Sequence, residues 1–370
     1  MPNQSYIHAI GIANPDYQLA QSDIAAFMSR VLAMDEREDR MLQALYRASG
    51  IRHRHTVLAD YARDPEDFTF FPANEQLEPF PSVSRRMEIY RREALPLAKK
   101  AVENLKAKIP GQNIRTCTHI IVASCTGMYA PGLDIELIDA LGLKTATERT
   151  AVNFMGCYAA VTALRLADHI CRAGEEARVL VVCLELCTIH FQKNKDEDNL
   201  LANSLFADGA AAVWLSPKAP DRTPAFAIRG FRSELIRSAS EEMAWQIGDH
   251  GFEMRLSSYV PEAIRQGIAN LSKQALAHYE VDQKEIICFA NHPGGKKILQ
   301  VIESELGFDK DLHRHSYQVL RDYGNMSSAT LLFVLEALFS ESESKKQQGP
   351  VMSFAFGPGL TLESMLLELR

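Results

Sequence analysis

The chain repeats one order of elements, and this repetition constrains the fold more than any single motif does. In the first copy the apolar strand HIIVASC precedes a long helix that begins at Cys157, and the strand RVLVVCLEL follows. In the second copy the strand EIICFA precedes a long helix that begins at Asn325, and the strand VMSFAF follows. Apolar positions recur at the helical period behind both polar residues. We interpret the pattern as a duplicated α/β unit in which each copy places one polar side chain at the start of a buried helix.

Strands and helices alternate along the chain, as expected of an α/β fold. The predicted strands are Thr118–Cys125, Arg178–Leu186, Ala210–Leu215, Glu285–Ala290 and Val351–Phe356. The predicted helices include Ser22–Leu32, Ala94–Lys106, Tyr158–Ala173, Pro261–His278, Gly295–Leu306 and Met326–Ser340. A chain of 370 residues exceeds one ordinary core, and the segment SPKAPDRTP is the best linker candidate. We therefore predict two halves, residues 1–222 with Cys157 and residues 223–370 with His292 and Asn325.

Composition and charge narrow the class of protein. Hydrophobic residues make up 46% of the chain and charged residues 24%, which is typical of globular domains. The formal net charge of -7 argues against nucleic acid and anionic membranes as bulk partners. The N-terminus lacks the basic start and apolar run of a signal peptide, and the apolar stretch 151–164 is too short to span a bilayer. We expect a cytoplasmic protein without stable membrane association.

The cysteines indicate a reducing compartment and one candidate nucleophile. There are seven, an odd number, and their spacing is not that of a disulfide framework. No CxxC pair occurs, and we expect no metal site. Six of the cysteines are interpreted as small core residues, the commonest role of a buried cysteine. Cys157 differs because Gly156 precedes it and a helix begins there, where the helix dipole and free N–H groups favour a thiolate.

Two further polar residues are candidates for catalysis. His292 follows a strand and precedes a Pro-Gly-Gly turn, at the kind of strand end where ligands meet the sheet in α/β folds. An isolated histidine there is more often structural, and Asn325 could equally be a simple helix N-cap. Taken alone, each residue is a weak signal.

The sequence blocks around these residues strengthen the assignment. GCYAA, HPGGKKIL, YGNMSSATLLF, LFADGAAAVWL and FGPGLTLE resemble the signature blocks of chalcone-synthase-like, type III polyketide synthases. The resemblance implies a thiolase fold of two duplicated αβαβα halves that form a five-layered core, and a homodimer. It also implies that Cys157 carries the acyl chain while His292 and Asn325 stabilise the enolate formed from malonyl-CoA. Acyl-CoA and malonyl-CoA thioesters are then the substrates, and no metal or redox cofactor is needed.

The resemblance extends to the substrate cavity and to its entrance. It matches Phe206 to a gatekeeper phenylalanine, and it places Met254 where the second gatekeeper is normally a phenylalanine. The other residues that it assigns to the cavity are Cys125, Ala130, Cys187, His190, Trp245 and Ser327. Because CoA is anionic, a basic mouth is expected. The residues expected to contact CoA are Gly294, Gly295, Lys296 and Lys297 at the Pro-Gly-Gly turn, and Arg47 and Arg52 in an upstream cluster that also contains Arg54.

Two departures from the plant enzymes bear on the product. Ala130 stands where they carry a methionine, and Trp245 replaces a glycine of plant chalcone synthase. The change favours an aliphatic starter over a folded aromatic product, so we expect fatty acyl-CoA starters and alkylpyrone or alkylresorcinol products. Three alternatives stay open: a ketoacyl synthase III-like enzyme that condenses once on a carrier protein, a cysteine hydrolase with the same Cys–His–Asn order, and a non-catalytic thiolase-fold scaffold.

Overall fold

The computed structural model describes residues 4–220 and 224–370, so the predicted boundary between residues 222 and 223 lies outside the described residues. The helices are α1 (Gln21–Val31), α2 (Glu36–Ala48), α3 (Val83–Lys108), α4 (Leu133–Leu141), α5 (Ala159–Ala173), α6 (Glu197–Leu205), α7 (Val260–Tyr279), α8 (Lys296–Leu306), α9 (Arg314–Tyr323) and α10 (Ser328–Lys345). The strands are β1 (Tyr6–Ala13), β2 (Tyr17–Ala20), β3 (His53–Thr56), β4 (His119–Ser124), β5 (Glu148–Asn153), β6 (Val179–Leu186), β7 (Asp208–Ser216), β8 (Phe226–Leu235), β9 (Met243–Gly248), β10 (Gly251–Leu256), β11 (Cys288–Phe289), β12 (Gly349–Gly357) and β13 (Thr361–Leu369). Within the two described ranges, no helix is long and apolar enough to cross a bilayer.

Nine strands form one mixed sheet in the order β11-β12-β13-β8-β1-β7-β6-β4-β5. The order contains two copies of one pattern, which meet where β1 pairs with β8. In the first copy β7 runs antiparallel to β1 and β6, and β4 runs parallel to β6. In the second copy β13 runs antiparallel to β8 and β12, and β11 runs parallel to β12. The predicted duplication is confirmed, and the β1–β8 pairing joins both copies into one sheet.

Side-chain alternation along the strands produces three apolar cores. On β6, Leu180 and Val182 pack in a core with α3, whereas Val179 and Val181 point the other way into a core with α5 and α10. This middle core also receives side chains from one face of β12 and β13. The opposite face of those strands packs with α7 and α8 in the third core. The two halves of the continuous sheet thus lie on either side of α5 and α10. The layers are helix, half-sheet, helix pair, half-sheet and helix, which confirms the expected five-layered αβαβα arrangement.

The two central helices bring the candidate residues together. Helix α5 follows a short 3-10 turn, Gly156–Tyr158, and α10 begins three residues after Asn325. Helix α10 contacts both α5 and that turn. Leu164 and Leu335 are completely buried in the middle core. The duplication thus places the start of one central helix next to the start of the other.

Two short antiparallel ribbons lie outside the sheet, β2–β3 and the hairpin β9–β10. In the hairpin, Met254 pairs directly with Trp245. Residues that are opposite each other on antiparallel strands project from the same face. The hairpin therefore presents both side chains to the same side.

Candidate active site

Cys157 lies on a tight turn that glycine makes possible. Phe154 has a φ of 57° and Gly156 a φ of 75°, so the backbone passes twice through the left-handed region. A Cβ atom at Gly156 would lie 2.2 Å from Cδ of Pro358, and any larger residue would clash there. Pro358 belongs to the FGPGL block, which therefore packs directly on the turn that carries the cysteine. The cysteine is 7% exposed.

Backbone pairing fixes Asn325 beside the loop that carries Phe206. The Asn325 N–H donates to the carbonyl of Leu205 at 2.9 Å, and the Asn325 carbonyl accepts from the N–H of Ala207 at 2.8 Å. These two bonds form an isolated bridge between Phe206 and Asn325. The sequence blocks LFADG and YGNMSSA are therefore adjacent in space because their backbones pair.

The side chain of Asn325 points toward the cysteine. Its Oδ1 lies 4.0 Å from Sγ of Cys157 and accepts a hydrogen bond from the N–H of Ser327 at 2.9 Å. Its Nδ2 donates toward the carbonyl of Gly294 at 3.3 Å, a long bond. Ser327 precedes α10 with a φ of 45° and makes no side-chain cap. The amide of Asn325 is thus oriented by the loop, with an N–H group on the side of the Pro-Gly-Gly turn.

His292 is buried and its ring is free. Its backbone N–H donates to the carbonyl of Phe354 at 2.8 Å, which fixes the residue at the end of the second-copy sheet. The residue is 1% exposed. Neither ring nitrogen has a hydrogen-bond partner among the described residues. A buried polar group without a partner is uncommon in native proteins and indicates a group reserved for a ligand.

These three residues line one small cavity of about 40 Å³. The predicted residues that line it are Cys125, Cys157, Cys187, Phe206, Trp245, Met254, His292, Gly294, Asn325 and Ser327. We call this space the catalytic cavity. Leu256, Ile298 and Pro358 also line the cavity, and they were not predicted as site residues.

Burial opposes charge on the cysteine and on the histidine. It raises the pKa of the Cys157 thiol to about 12, although hydrogen bonds with Ser327 and Asn325 act in the other direction. Burial lowers the pKa of His292 to about 3. Transfer of the thiol proton to the imidazole would create both charges together without changing the net charge of the cavity. The thiolate–imidazolium pair stays a prediction.

Glu185 lies behind the cavity wall and holds it together. It is completely buried at the end of β6. One carboxylate oxygen accepts from the N–H of Cys125 at 2.9 Å and from the hydroxyl of Thr126 at 2.8 Å, and the other accepts from the hydroxyl of Ser328 at 2.5 Å. The carboxyl group thereby ties the end of β4 to the start of α10. Its signal in the sequence is the single charged residue in the apolar strand VLVVCLEL.

Trp245 forms part of the cavity wall. Its indole N–H donates to the carbonyl of Cys125 at 2.7 Å, so the hairpin β9–β10 is attached to the end of β4. The ring contacts His190 and Phe252 edge to face, and these two rings stack at 4.2 Å. The backbone N–H of Phe252 donates to Nδ1 of His190, so His190 is neutral and donates through Nε2 to the carbonyl of Thr126. Burial lowers the pKa of His190 to about 3, in agreement with the neutral form.

Two predicted cavity residues lie elsewhere. His190 lines a second, separate space of about 50 Å³ behind the wall, which shares Cys187, Phe206, Trp245 and Met254 with the catalytic cavity. Ala130 is exposed and lines neither space. Its side chain therefore adds no room to the cavity within this chain.

A much larger cavity of about 660 Å³ leads to the catalytic cavity, with which it shares Leu256, Gly294 and Ile298. We call it the entrance cavity. Gly294, Gly295, Lys296 and Lys297 line it, as predicted. Arg47 and Arg52 do not line it: both are exposed on the surface. Arg54 is buried and donates to the carbonyls of Asn203 and Phe206, so it supports the Phe206 loop instead.

Comparison with known proteins gives a consistent result along the chain. Residues 3–218 match the family model of the N-terminal domain of chalcone and stilbene synthases, and residues 230–369 match that of the C-terminal domain. The chain is 31% identical over 98% of its length to "Alpha-pyrone synthesis polyketide synthase-like Pks18" of Mycobacterium tuberculosis, of which it covers 91%. It is 30% identical over 99% of its length to "Probable polyketide synthase 1" of Dictyostelium discoideum, and it spans only 11% of that much longer protein.

Solved structures agree with these matches. The C-terminal type III polyketide synthase domain of Steely1 from Dictyostelium superposes with a TM-score of 0.90 at 28% identity, with 99% of both chains covered. PKS-I from the brown alga Ectocarpus siliculosus superposes with a TM-score of 0.92 at 28% identity, covering 99% of this chain and 98% of that one.

Proposed function

The chain belongs to the chalcone and stilbene synthase family of type III polyketide synthases, and from this premise we propose that it extends an acyl-CoA starter, held as a thioester on Cys157, with malonyl-CoA. The observation that carries the proposal is the catalytic cavity itself. It contains a thiol, an imidazole with two free ring nitrogens and an oriented carboxamide, all buried together. The thiol, the imidazole and the carboxamide each have a role in the proposed reaction.

The first step is acyl transfer to the cysteine. The Cys157 thiol gives its proton to His292 and attacks the starter thioester, which releases CoA as the free thiol and leaves the acyl group on sulfur. His292 suits the role of base because nothing else occupies its ring nitrogens. Exclusion of water from the cavity protects the new thioester from hydrolysis.

The second step is decarboxylation and condensation. Malonyl-CoA loses CO2 and becomes an enolate, whose negative oxygen needs hydrogen-bond donors in place before the charge forms. The ring N–H of His292 and the Nδ2 group of Asn325 are the donors that we assign to it. The enolate carbon then attacks the thioester carbonyl, and Cys157 departs as thiolate with the longer chain now on CoA. The steps use thioester chemistry throughout, so we propose that no metal or redox cofactor takes part.

The entrance cavity is the proposed route for CoA. The N-terminus of α8 and the side chains of Lys296 and Lys297 form one wall and are suited to the CoA phosphates. The other predicted cations, Arg47 and Arg52, lie outside the cavity. We assign phosphate contacts to the two lysines alone.

The product that we propose is an alkylpyrone or alkylresorcinol made from a fatty acyl starter. The name of the mycobacterial relative refers to α-pyrone synthesis, which supports the proposal. The experiment is incubation of the purified protein with malonyl-CoA and a panel of saturated acyl-CoA starters, with p-coumaroyl-CoA for comparison, and mass analysis of the products. Extended alkyl products are expected, with higher kcat/KM for long saturated starters. If p-coumaroyl-CoA exceeds every saturated starter, the proposed starter class is wrong.

A single condensation, as in ketoacyl synthase III-like enzymes, is the second candidate. The catalytic cavity, at about 40 Å³, is small for a folded chain of several ketide units, which favours this candidate. The same product analysis separates the candidates: one added ketide unit indicates a single condensation, and two or more indicate iteration.

We further propose that the enzyme is a cytoplasmic homodimer. All seven cysteines are free and buried, which supports a reducing compartment. Strand β5 is an uncovered sheet edge, which supports pairing with a second copy.

A further inference from the structure

We propose that the alkyl tail of the starter lies in the entrance cavity, against the wall formed by α2 and α6, while its thioester is on Cys157. This inference rests on the proposed function and adds to it the position of the tail. It also assigns a specificity role to Met41, Leu45 and Leu200, residues that lie outside the catalytic cavity.

The volumes of the two cavities favour the entrance cavity as the site of the alkyl tail. The catalytic cavity, at about 40 Å³, is by far the smaller of the two spaces, and the bulky side chain of Trp245 is part of its lining. The exposed Ala130 opens no channel from it. The entrance cavity, at about 660 Å³, has the size of an ordinary ligand site, about 300–1,000 Å³. Because Leu256, Gly294 and Ile298 line both spaces, the two cavities are adjacent, and a chain attached to the cysteine can extend toward the larger one.

The α2–α6 wall of the entrance cavity carries several apolar side chains. Met41 is 64% exposed, although methionine is usually buried. Leu45 from α2 and Leu200 and Leu201 from α6 continue the same apolar surface inside the cavity. Such a wall has little to offer the phosphates of CoA, and it suits an aliphatic chain.

The two sides of the entrance cavity differ in charge. Lys296 and Lys297 lie on the α8 side of the cavity. At the α2 side, Lys195 is paired with Glu38 at 2.6 Å, so its charge is locally neutralised. Glu197 of α6 adds a negative charge on this side, which is unfavourable for phosphates. The two walls therefore differ in chemistry: the α8 wall matches an anionic CoA arm, and the apolar side chains of the α2–α6 wall match an alkyl chain. Both can be occupied at once when malonyl-CoA enters during extension.

The test measures binding without turnover. Acyl-CoA thioesters from acetyl to hexadecanoyl are titrated into the Cys157→Ala protein by calorimetry. We expect the dissociation constant to fall by about two- to fourfold for each added methylene over part of the series. Leu45→Asn in the same background should weaken hexadecanoyl-CoA by about tenfold and acetyl-CoA by less than about twofold. Ala44→Asn is the matched control, because Ala44 is exposed on the same helix and does not line the cavity; it should leave the whole series unchanged.

Three results would overturn the inference. Equal weakening of acetyl-CoA and hexadecanoyl-CoA by Leu45→Asn would mean that the wall contacts the CoA arm. A chain-length dependence that Trp245→Ala changes and Leu45→Asn does not would mean that the tail lies beyond the tryptophan. A dissociation constant independent of chain length would mean that no aliphatic site exists. The product analysis of the wild-type enzyme tests the proposed function separately, so failure of one is distinguishable from failure of the other.

Discussion

At the scale of single residues, the ionisation of Cys157 determines how the reaction starts. A thiol with a pKa near 12 reacts with iodoacetamide only as the pH rises toward that value, since the thiolate is the nucleophile. A thiolate paired with protonated His292 would instead react at mildly acidic pH. We predict the second behaviour: the alkylation rate of Cys157, followed by peptide mapping, should be nearly constant from pH 6 to pH 8. His292→Ala should make the rate low and steeply dependent on pH. A wild-type Cys157 that reacts no faster than the other six cysteines would contradict the ion pair.

Decarboxylation separates the role of the cysteine from that of the two donors. Loss of CO2 from malonyl-CoA needs the donors but not the nucleophile. Cys157→Ala should therefore still release CO2 and make no extended product. Asn325→Ala should lose both activities, and decarboxylation should fall by about a hundredfold or more, as for other oxyanion-stabilising donors. Release of 14CO2 from labelled malonyl-CoA measures the effect. Normal decarboxylation by Asn325→Ala would leave Asn325 with a structural role only.

Glu185 should make the stability of the protein depend on pH. Burial raises its pKa from the ordinary 4.5 to about 7, so the folded protein holds a proton between these values that the unfolded chain has lost. The free energy of unfolding therefore decreases as the pH rises from 4.5 to 7, by roughly 3 kcal/mol if this group acts alone. Glu185→Gln removes the titration and keeps the shape. We expect the fall in Tm between pH 5 and pH 8 to be smaller in Glu185→Gln than in the wild type. An identical fall in both proteins would show that Glu185 does not titrate in this range.

The sequence predicted which residues meet, but not the shape of the space around them. Cys157, His292 and Asn325 were identifiable because each stands at a predicted helix start or strand end inside a block that resembles the signature blocks of the family. Glu185 was missed because a charged residue in an apolar strand acquires meaning only when its hydrogen-bond partners are known. Ala130 was assigned to the cavity by resemblance to the plant enzymes, and neither periodicity nor spacing indicates that the residue is exposed.

At the scale of elements, long buried segments were predictable and short or exposed ones were not. Helix α5 and strand β6 lie within one residue of their predicted limits, because strong apolar periodicity determines both. Helix α3 begins eleven residues before the predicted Ala94, since its first turns are polar. Strand β11 has two residues where six were predicted. The hairpin β9–β10 was not predicted at all, although it carries Trp245 and Met254 into the cavity.

That hairpin is the element on which starter size should depend. Trp245 is the largest of the four side chains that line both the catalytic cavity and the second space of about 50 Å³. Trp245→Ala should connect the two spaces and raise kcat/KM for p-coumaroyl-CoA relative to hexadecanoyl-CoA by about tenfold, at the lower end of the discrimination that pocket shape provides. Trp245→Phe keeps a ring and loses only the hydrogen bond to Cys125, so it should retain most of the wild-type preference. The same starter preference in both variants and the wild type would show that the hairpin does not select the starter.

At the scale of the whole molecule, one edge of the nine-stranded sheet is left uncovered. Strand β5 is the last strand of the first copy, and five of its six residues are exposed. Met128 and Ile135, on the neighbouring β4–α4 segment, are 47% and 36% exposed. An open edge next to exposed apolar side chains invites pairing with another strand. In a homodimer the same edge of a second copy would fill this role, because a twofold axis brings identical surfaces together.

The dimer can be tested by placing a charge on that edge. Ala151 is exposed in the middle of β5, and a twofold interface would bring the two copies of this residue close to each other. Ala151→Glu would then set two like charges against each other in a buried interface, which opposes association. We expect light scattering to give twice the chain mass of 41.3 kDa for the wild type and a single chain mass for Ala151→Glu. Ala44→Glu introduces the same charge at an exposed helix position away from β5, so it should remain dimeric. A monomeric wild type would rule out the homodimer, and an Ala151→Glu protein that stays dimeric would place the interface on another surface.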